Sequence, residues 1–349
     1  GTYYWKVKAR DRAGNTQGFS PARTFSMDTV PPEITSVNVA TGFYYGYPQI
    51  TITETIADTA GVNYVLVLVT GPAPSTQQIG YTYLTRTSGT DQNGIWTGTF
   101  LFNSRLSGVY TLESVAADTS YQTTSRIDSN VYIDTVPPTL MTVAVTPQTA
   151  GLGSPITVKA SAMDTVSGIS GVTTQDLTSG GLVIPLSLIS GSTAANQVGN
   201  FEGTITAASP DGGHNVKVTA TDNAANPNNL FVTNAFVVDS QAPDAPILLI
   251  PGNDAKTRDS TPTFDWSDAV GAASYRLQVA TDSLFTTIVA DGTTTNSIAV
   301  LNNPLSDGTY YWRVRSIDVT GNVGIYSSYN TFSVDTVKPG TPGLISPGE

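Results

Sequence analysis

Residues 1–32 read GTYYWKVKARDRAGNTQGFSPARTFSMDTVPP, and residues 308–339 read GTYYWRVRSIDVTGNVGIYSSYNTFSVDTVKP. Each copy opens on a run with period 2. In the second copy Tyr310, Trp312 and Val314 fall on one face and Tyr311, Arg313 and Arg315 on the other, the pattern of a strand with one buried side. An Asp, Gly and Asn cluster follows, the residue types that tight hairpin turns require. A second alternating run (TFSM, TFSV) then leads into an Asp-Thr-Val-Pro junction. The stretch therefore reads as the last two strands of a β-domain and the linker that leaves it.

Four such junctions recur: DTVPP at Asp28, DTVPP at Asp134, DSQAP at Asp239 and DTVKP at Asp335, spaced 106, 105 and 96 residues apart. Each interval is the size of one β-sandwich. Proline after the junction removes a backbone donor and holds the preceding residue extended, which makes the linker short and stiff. The hairpin recurs upstream of each junction, as SVAADTSYQ around Asp118, VTATDNAAN around Asp222 and VRSIDVTGN around Asp318. PQITITETIADT (48–59) aligns with SPITVKASAMDT (154–165), and GIWTGTF (94–100) with GNFEGTI (199–205), so the two middle domains are sisters. The expected division is a C-terminal hairpin of a truncated domain at 1–28, whole domains at 29–134, 135–239 and 240–335, and the first strand of another at 336–349, where PGTPGLISPGE echoes PDAPILLIPGN. Both ends are expected to cut through domains, as in an internal piece of a longer repetitive protein.

Composition agrees. Ser and Thr make up about a quarter of the 349 residues, and helix formers are sparse, which favours strands and turns. Only 12% of residues are charged, with a net charge of −11 and a pI of 4.4. Sixteen Lys and Arg in an acidic chain argue against a nucleic-acid partner. The absence of cysteine excludes disulfides, thiolate metal sites and cysteine nucleophiles. The apolar run VLVLV at 65–69 is far too short to span a membrane.

Trp266 early in the last whole domain, Tyr310 at the place of a tyrosine corner, the strand GTYYWRVRSIDVTGN and the start APDAPILLIPGN together resemble a prokaryotic fibronectin type III module. The two middle domains are similar to bacterial Ig-like modules, although their hairpins, DTSYQ and DNAAN, depart from the usual D-x-A-G-N. The resemblance implies an all-β chain: tandem Ig-like and fibronectin type III β-sandwiches in a linear array.

Candidate chemistry is sparse. The single histidine, His214, aligns with Tyr110, a core aromatic of the sister domain, and no second histidine is present to serve a nucleophile. The acids recur once per module instead of converging as a catalytic pair, so no enzyme is expected. The recurring aspartates admit two readings. Asp58 and Asp164 sit in equivalent loops, Asp118 and Asp222 in the last hairpins, and Asp134 and Asp239 at junctions. In the first reading each caps its own turn through backbone amides. In the second they are calcium ligands, Ca2+ being the one cofactor in view, since a junction can gather the six to eight oxygens it takes. The resemblance also points to calcium, because similar modules in bacterial adhesins are rigidified by it. Lys159 shares its strand with Ile156, Val158 and Ala160 but faces outward, which argues against an isopeptide bond. Tyr44, Tyr45 and Tyr47 are candidates for a sugar- or ligand-binding surface, as is GYTYL at 80–84. Packing against a neighbouring module or chain is the competing use of such tyrosines.

The expected role is structural: a segment of a long extracellular or cell-surface prokaryotic protein, such as a stalk, adhesin shaft, surface-layer component or filament. Its expected partners are neighbouring modules and other copies of itself, paired through exposed strand edges. A ligand-binding array and the spacer of a secreted hydrolase are the alternatives.

Overall fold

A computed structural model describes residues 1–40, 42–44, 46, 48–74, 77–103, 106–341 and 343. Every regular element among them is a strand. No helix is long and apolar enough to cross a membrane among the described residues. Residues 336–341 form no strand, and half of the expected strand at 336–349 lies outside the described residues.

The chain begins with β1 (Thr2–Trp5) and β2 (Arg23–Ser26), an antiparallel pair with Tyr3 opposite Phe25. Tyr3, Trp5 and Phe25 are largely exposed, whereas their counterparts Tyr310, Trp312 and Phe332 are buried in the last module. Two strands make one face of a sandwich and have nothing to close it against.

The first whole module comprises β3 (Glu33–Val39), β4 (Phe43–Tyr44), β5 (Gln49–Ala57), β6 (Val62–Thr70), β7 (Gln78–Gly89), β8 (Asn93–Leu101), β9 (Gly108–Asp118) and β10 (Thr123–Ile133). They pair in the order β3-β5-β8-β7-β6-β9-β10-β4. Strand β7 makes the order continuous: its first half pairs with β6 and its second half with β8, so it crosses from one layer to the other. Alternation places Ile50, Ile52 and Ile56 of β5 against Val65, Val67 and Val69 of β6 and Tyr110, Leu112 and Ala116 of β9. Glu54 shares that inward face and accepts a hydrogen bond from Ser114.

The second module repeats this plan with β11 (Thr139–Thr146), β12 (Thr149–Ala150), β13 (Pro155–Asp164), β14 (Ile169–Asp176), β15 (Ile184–Gly191), β16 (Gln197–Thr206), β17 (Gly212–Asp222) and β18 (Pro227–Val238). The order is the same permutation, with β15 as the crossing strand.

The third module differs. Its strands are β19 (Leu248–Ile250), β20 (Ala255–Thr257), β21 (Thr263–Trp266), β22 (Ala272–Ala280), β23 (Ile288–Thr294), β24 (Ile298–Val300), β25 (Gly308–Asp318) and β26 (Asn330–Val334). They form a three-stranded sheet, β19-β21-β24, and a five-stranded one, β20-β26-β25-β22-β23. Trp266, Trp312, Phe264 and Phe332 fill the space between. Here the chain bends between β23 and β24 and no strand bridges the layers. In the first two modules the crossing strand joins the layers, but each of its halves pairs on one side only.

All three modules carry the same corner. Tyr110 Oη donates to the Leu106 carbonyl at 2.8 Å and Tyr310 Oη to that of Ser306 at 2.8 Å, each four residues back. His214 takes this place in the second module, with Nε2 2.7 Å from the Pro210 carbonyl.

Candidate metal centres at the module junctions

The antiparallel order brings three chain segments to the leading end of each middle module: the incoming junction, the loop after the second long strand and the last hairpin. Each contributes an aspartate. Asp134, Asp164 and Asp222 place one carboxylate oxygen apiece within 4.8 Å of one another, and all three are buried. Asp28, Asp58 and Asp118 do the same one module earlier, with Asp28 half-buried.

In both groups one oxygen of each carboxylate caps its own turn. Asp164 Oδ1 accepts from the amides of Val166, Ser167 and Gly168 at 2.7–2.9 Å. Asp222 Oδ1 accepts from Ala224 and Asn226, and Asp134 Oδ1 from Val136. The first group mirrors this, with Asp58 Oδ1 holding Ala60 and Gly61, Asp118 Oδ1 holding Ser120 and Gln122, and Asp28 Oδ1 holding Val30. Capping and ligation are thus not rivals, because the turn caps fall on Oδ1 and the second oxygen of each carboxylate stays outside its own turn's backbone bonds.

Several of these oxygens are buried with no hydrogen-bond partner in the protein: Asp118 Oδ2 in the first group, and Asp164 Oδ2, Ser167 Oγ and Asn226 Oδ1 in the second. A buried acceptor left unpaired costs on the order of 1–3 kcal/mol, and more if charged. Among the described residues no Lys, Arg or His forms an ion pair with any of the six aspartates. Burial pushes the Asp222 carboxyl up, with the charge of Asp134 adding to the effect. Such an oxygen cage, anionic and without a protein counter-charge, fits a hard divalent cation, and carboxylate, amide and hydroxyl oxygens are the donors calcium takes. Asp28, Asp58 and Asp118 would hold one ion, and Asp134, Asp164 and Asp222 with Asn226 a second.

The third junction departs from the expectation that placed Asp239 with the calcium ligands. No carboxylate cluster includes it among the described residues. The reason is the loop after β21, whose only acid, Asp268, is exposed and belongs to no such cluster. The joint is closed by hydrogen bonds instead: Asn322 Nδ2 donates to the Asp239 carbonyl at 2.8 Å and to Asp318 Oδ2 at 2.9 Å. Burial pushes the Asp318 carboxyl up, but the hydrogen bonds from Thr320 and Asn322 outweigh it and hold the group below the usual carboxylate value.

The remaining candidates resolve individually. Asp28, Ser167 and Asn226 join the clusters although sequence reading left them out; Asp28 carries the same junction signal as Asp134. His214 is fully buried, stacked on Phe236 and 2.7 Å from Asp176 Oδ2, with both ring nitrogens facing acceptors. Lys159 lies outward and pairs with Glu202 at 3.0 Å. Tyr44 is half-buried: it packs against the first core and donates to the Ala40 carbonyl at 2.7 Å. Tyr45 and Tyr47 lie outside the described residues. Tyr81 and Tyr83 are exposed, but their rings meet at 82°, so they make no flat platform.

Residues 250–336 match the family model of the bacterial Ig-like domain. The chain is a tandem array of β-sandwich modules, and the last whole module carries this family match. The match falls on the module whose residues resemble fibronectin type III, and covers one module of the array. No curated protein matches the chain in sequence. Among solved structures, the array is similar to latent PorU from Porphyromonas gingivalis at 11% identity, covering 87% of this chain and 34% of that one, with a TM-score of 0.24. It is also similar to the FN1–FN3 domains of chicken CNTN1, at 12% identity over 87% of this chain and 99% of that one, TM-score 0.31. The fibronectin(III)-like modules of CbhA from Clostridium thermocellum are similar at 18% identity over 58% of this chain and 95% of that one, TM-score 0.29. The array spans about a third of the length of PorU.

Proposed function

We propose that the chain is a structural repeat segment of a long extracellular prokaryotic protein, and that calcium ions at its first two whole-module junctions fix each module against the segment before it. The observation that carries this reading is the pair of aspartate triplets, buried except for half-buried Asp28, each built from a junction residue and two loops of the following module and each holding at least one buried oxygen with no partner in the protein. A cation there ties the linker to the module it enters, so that bending the joint means breaking ligand bonds. The bacterial Ig-like match supports a setting outside the cell, where calcium is plentiful and the absence of cysteine leaves ions as a means of stiffening.

Small-angle scattering and calorimetry on the full chain, with calcium and then with chelator, test this. Calcium is expected to lengthen the particle and raise the melting temperature of the first two whole modules. Identical scattering and melting in both conditions would overturn it.

A further inference from the structure

The two centres are alike in their aspartates and unlike in everything around them. The loop after β13 runs Asp164-Thr-Val-Ser-Gly-Ile169, one residue longer than Asp58-Thr-Ala-Gly-Val62 after β5. Gly61 and Gly168 take the same left-handed position, at φ of +98° and +80°, just before the next strand. The extra residue is therefore absorbed ahead of that glycine, and it seats Ser167 against the cluster, its amide on Asp134 Oδ2 at 3.1 Å and its hydroxyl buried without a partner. The first loop has no side-chain oxygen at that place.

The hairpins differ as well. Four residues after Asp222 stands Asn226, fully buried, whose Nδ2 donates to the Asp134 carbonyl at 3.0 Å and to Asp222 Oδ2 at 2.6 Å while Oδ1 is left unpaired. Four residues after Asp118 stands Gln122, half-buried, which supplies only its main-chain amide to Asp118. The junction acids differ in the same sense. Asp134 is fully buried, whereas Asp28 is half-buried; the Oδ2 of each accepts one bond at 3.1 Å, from the Ser167 amide and from Thr59 Oγ1 respectively.

Resting on the calcium reading above, we infer that the centres fill in order: Asp134, Asp164 and Asp222, completed by Asn226 and Ser167, take the first and tightest ion, and Asp28, Asp58 and Asp118 take theirs at higher calcium. More neutral oxygen ligands, already held in place, and fewer competing waters favour the second centre, since ligand number and rigidity are what tune calcium affinity. The consequence is graded stiffening, one joint set at low calcium and the other only when calcium is abundant.

Calorimetric titration of the chelator-treated full chain with CaCl2 tests this. Two steps are expected, separated by about tenfold or more in affinity. Asp164→Asn should delete the tighter step and spare the weaker, and Asp58→Asn the reverse; each asparagine keeps the oxygen that caps the turn, and circular dichroism checks that both variants fold. Gln122→Asn, a gain-of-affinity change that loss of folding cannot imitate, should move the weaker step toward the tighter. Equal affinities, loss of the tighter step in Asp58→Asn, or an unmoved weaker step in Gln122→Asn would overturn the order of filling. No calcium uptake at all would instead overturn the calcium reading on which the order rests.

Discussion

The joints at Asp134 and Asp239 use the same clasp. An asparagine four residues beyond the hairpin aspartate, Asn226 in one and Asn322 in the other, donates its amide to the carbonyl of the preceding junction residue and to the second oxygen of the aspartate. What surrounds the clasp differs. At Asp134 a third carboxylate, Asp164, completes a buried anionic cage. At Asp239 the third acid is missing, and the joint closes by contact: a Cβ added at Gly151 would lie 3.0 Å from the Thr320 carbonyl of the next module. One backbone-to-side-chain bond thus serves two designs, one an anionic cage that would take a cation under the proposal above and the other closed by fit.

The largest expected break in this comparison is chelation. Saturating calcium at about 100 times its dissociation constant stabilises the second module by roughly 2.7 kcal/mol, a gain that chelator removes while the third module's transition stays where it was, as calorimetry would show. Next comes the clasp itself. Asn226→Ala strands the Asp134 carbonyl and Asp222 Oδ2 in a buried place and should cost about 2–3 kcal/mol even with chelator present. Asn322→Ala, whose junction residue is half-buried, should cost about 1 kcal/mol in urea unfolding. Gly151→Val forces a gap of a few tenths of an ångström against Thr320 and should cost on the order of 1 kcal/mol. It should also loosen the third joint in scattering, leaving both calcium steps in place.

The smallest effect is on pH. Because burial and Asp134 raise the Asp222 carboxyl, the folded state holds that proton more tightly than the unfolded chain does. Its share of stability is present in acid and is lost as pH rises through the folded value, so in chelator the second module gains from this group on moving from pH 7 toward pH 4. With calcium bound the gain disappears, since the ion and the proton compete for the same oxygens. A calcium-induced melting shift that grows on acidification would contradict this.

The repeat, the all-β class and five of the six cage acids, all but Asp28, were legible because each rests on local chemistry: period-2 strands, turn residues and prolines repeat in register. What was not legible depends on three segments meeting. Asp239 carries the same junction signal as Asp134, yet only the loop after β21 decides that no third acid reaches it. Ser167 reads as an ordinary turn serine and Asn226 as a hairpin asparagine until their unpaired oxygens are seen beside the carboxylates. The run around GYTYLTRTSG announces a strand but not that it changes partners midway, because alternation fixes which side faces in and says nothing of which sheet the edges join.

That change of partner bears on how such a chain survives its own repetition. Sister domains tethered a few residues apart meet one another at an effective concentration on the order of millimolar, and segments as alike as β5 and β13 are then candidates to trade places during folding. Because β7 and β15 each pair with both layers, a strand borrowed from the neighbour could take their place only by matching two sheets at once. A strand that answers to two sheets is harder to exchange than one that answers to a single sheet, a restraint on near-copies that stand side by side in one polypeptide.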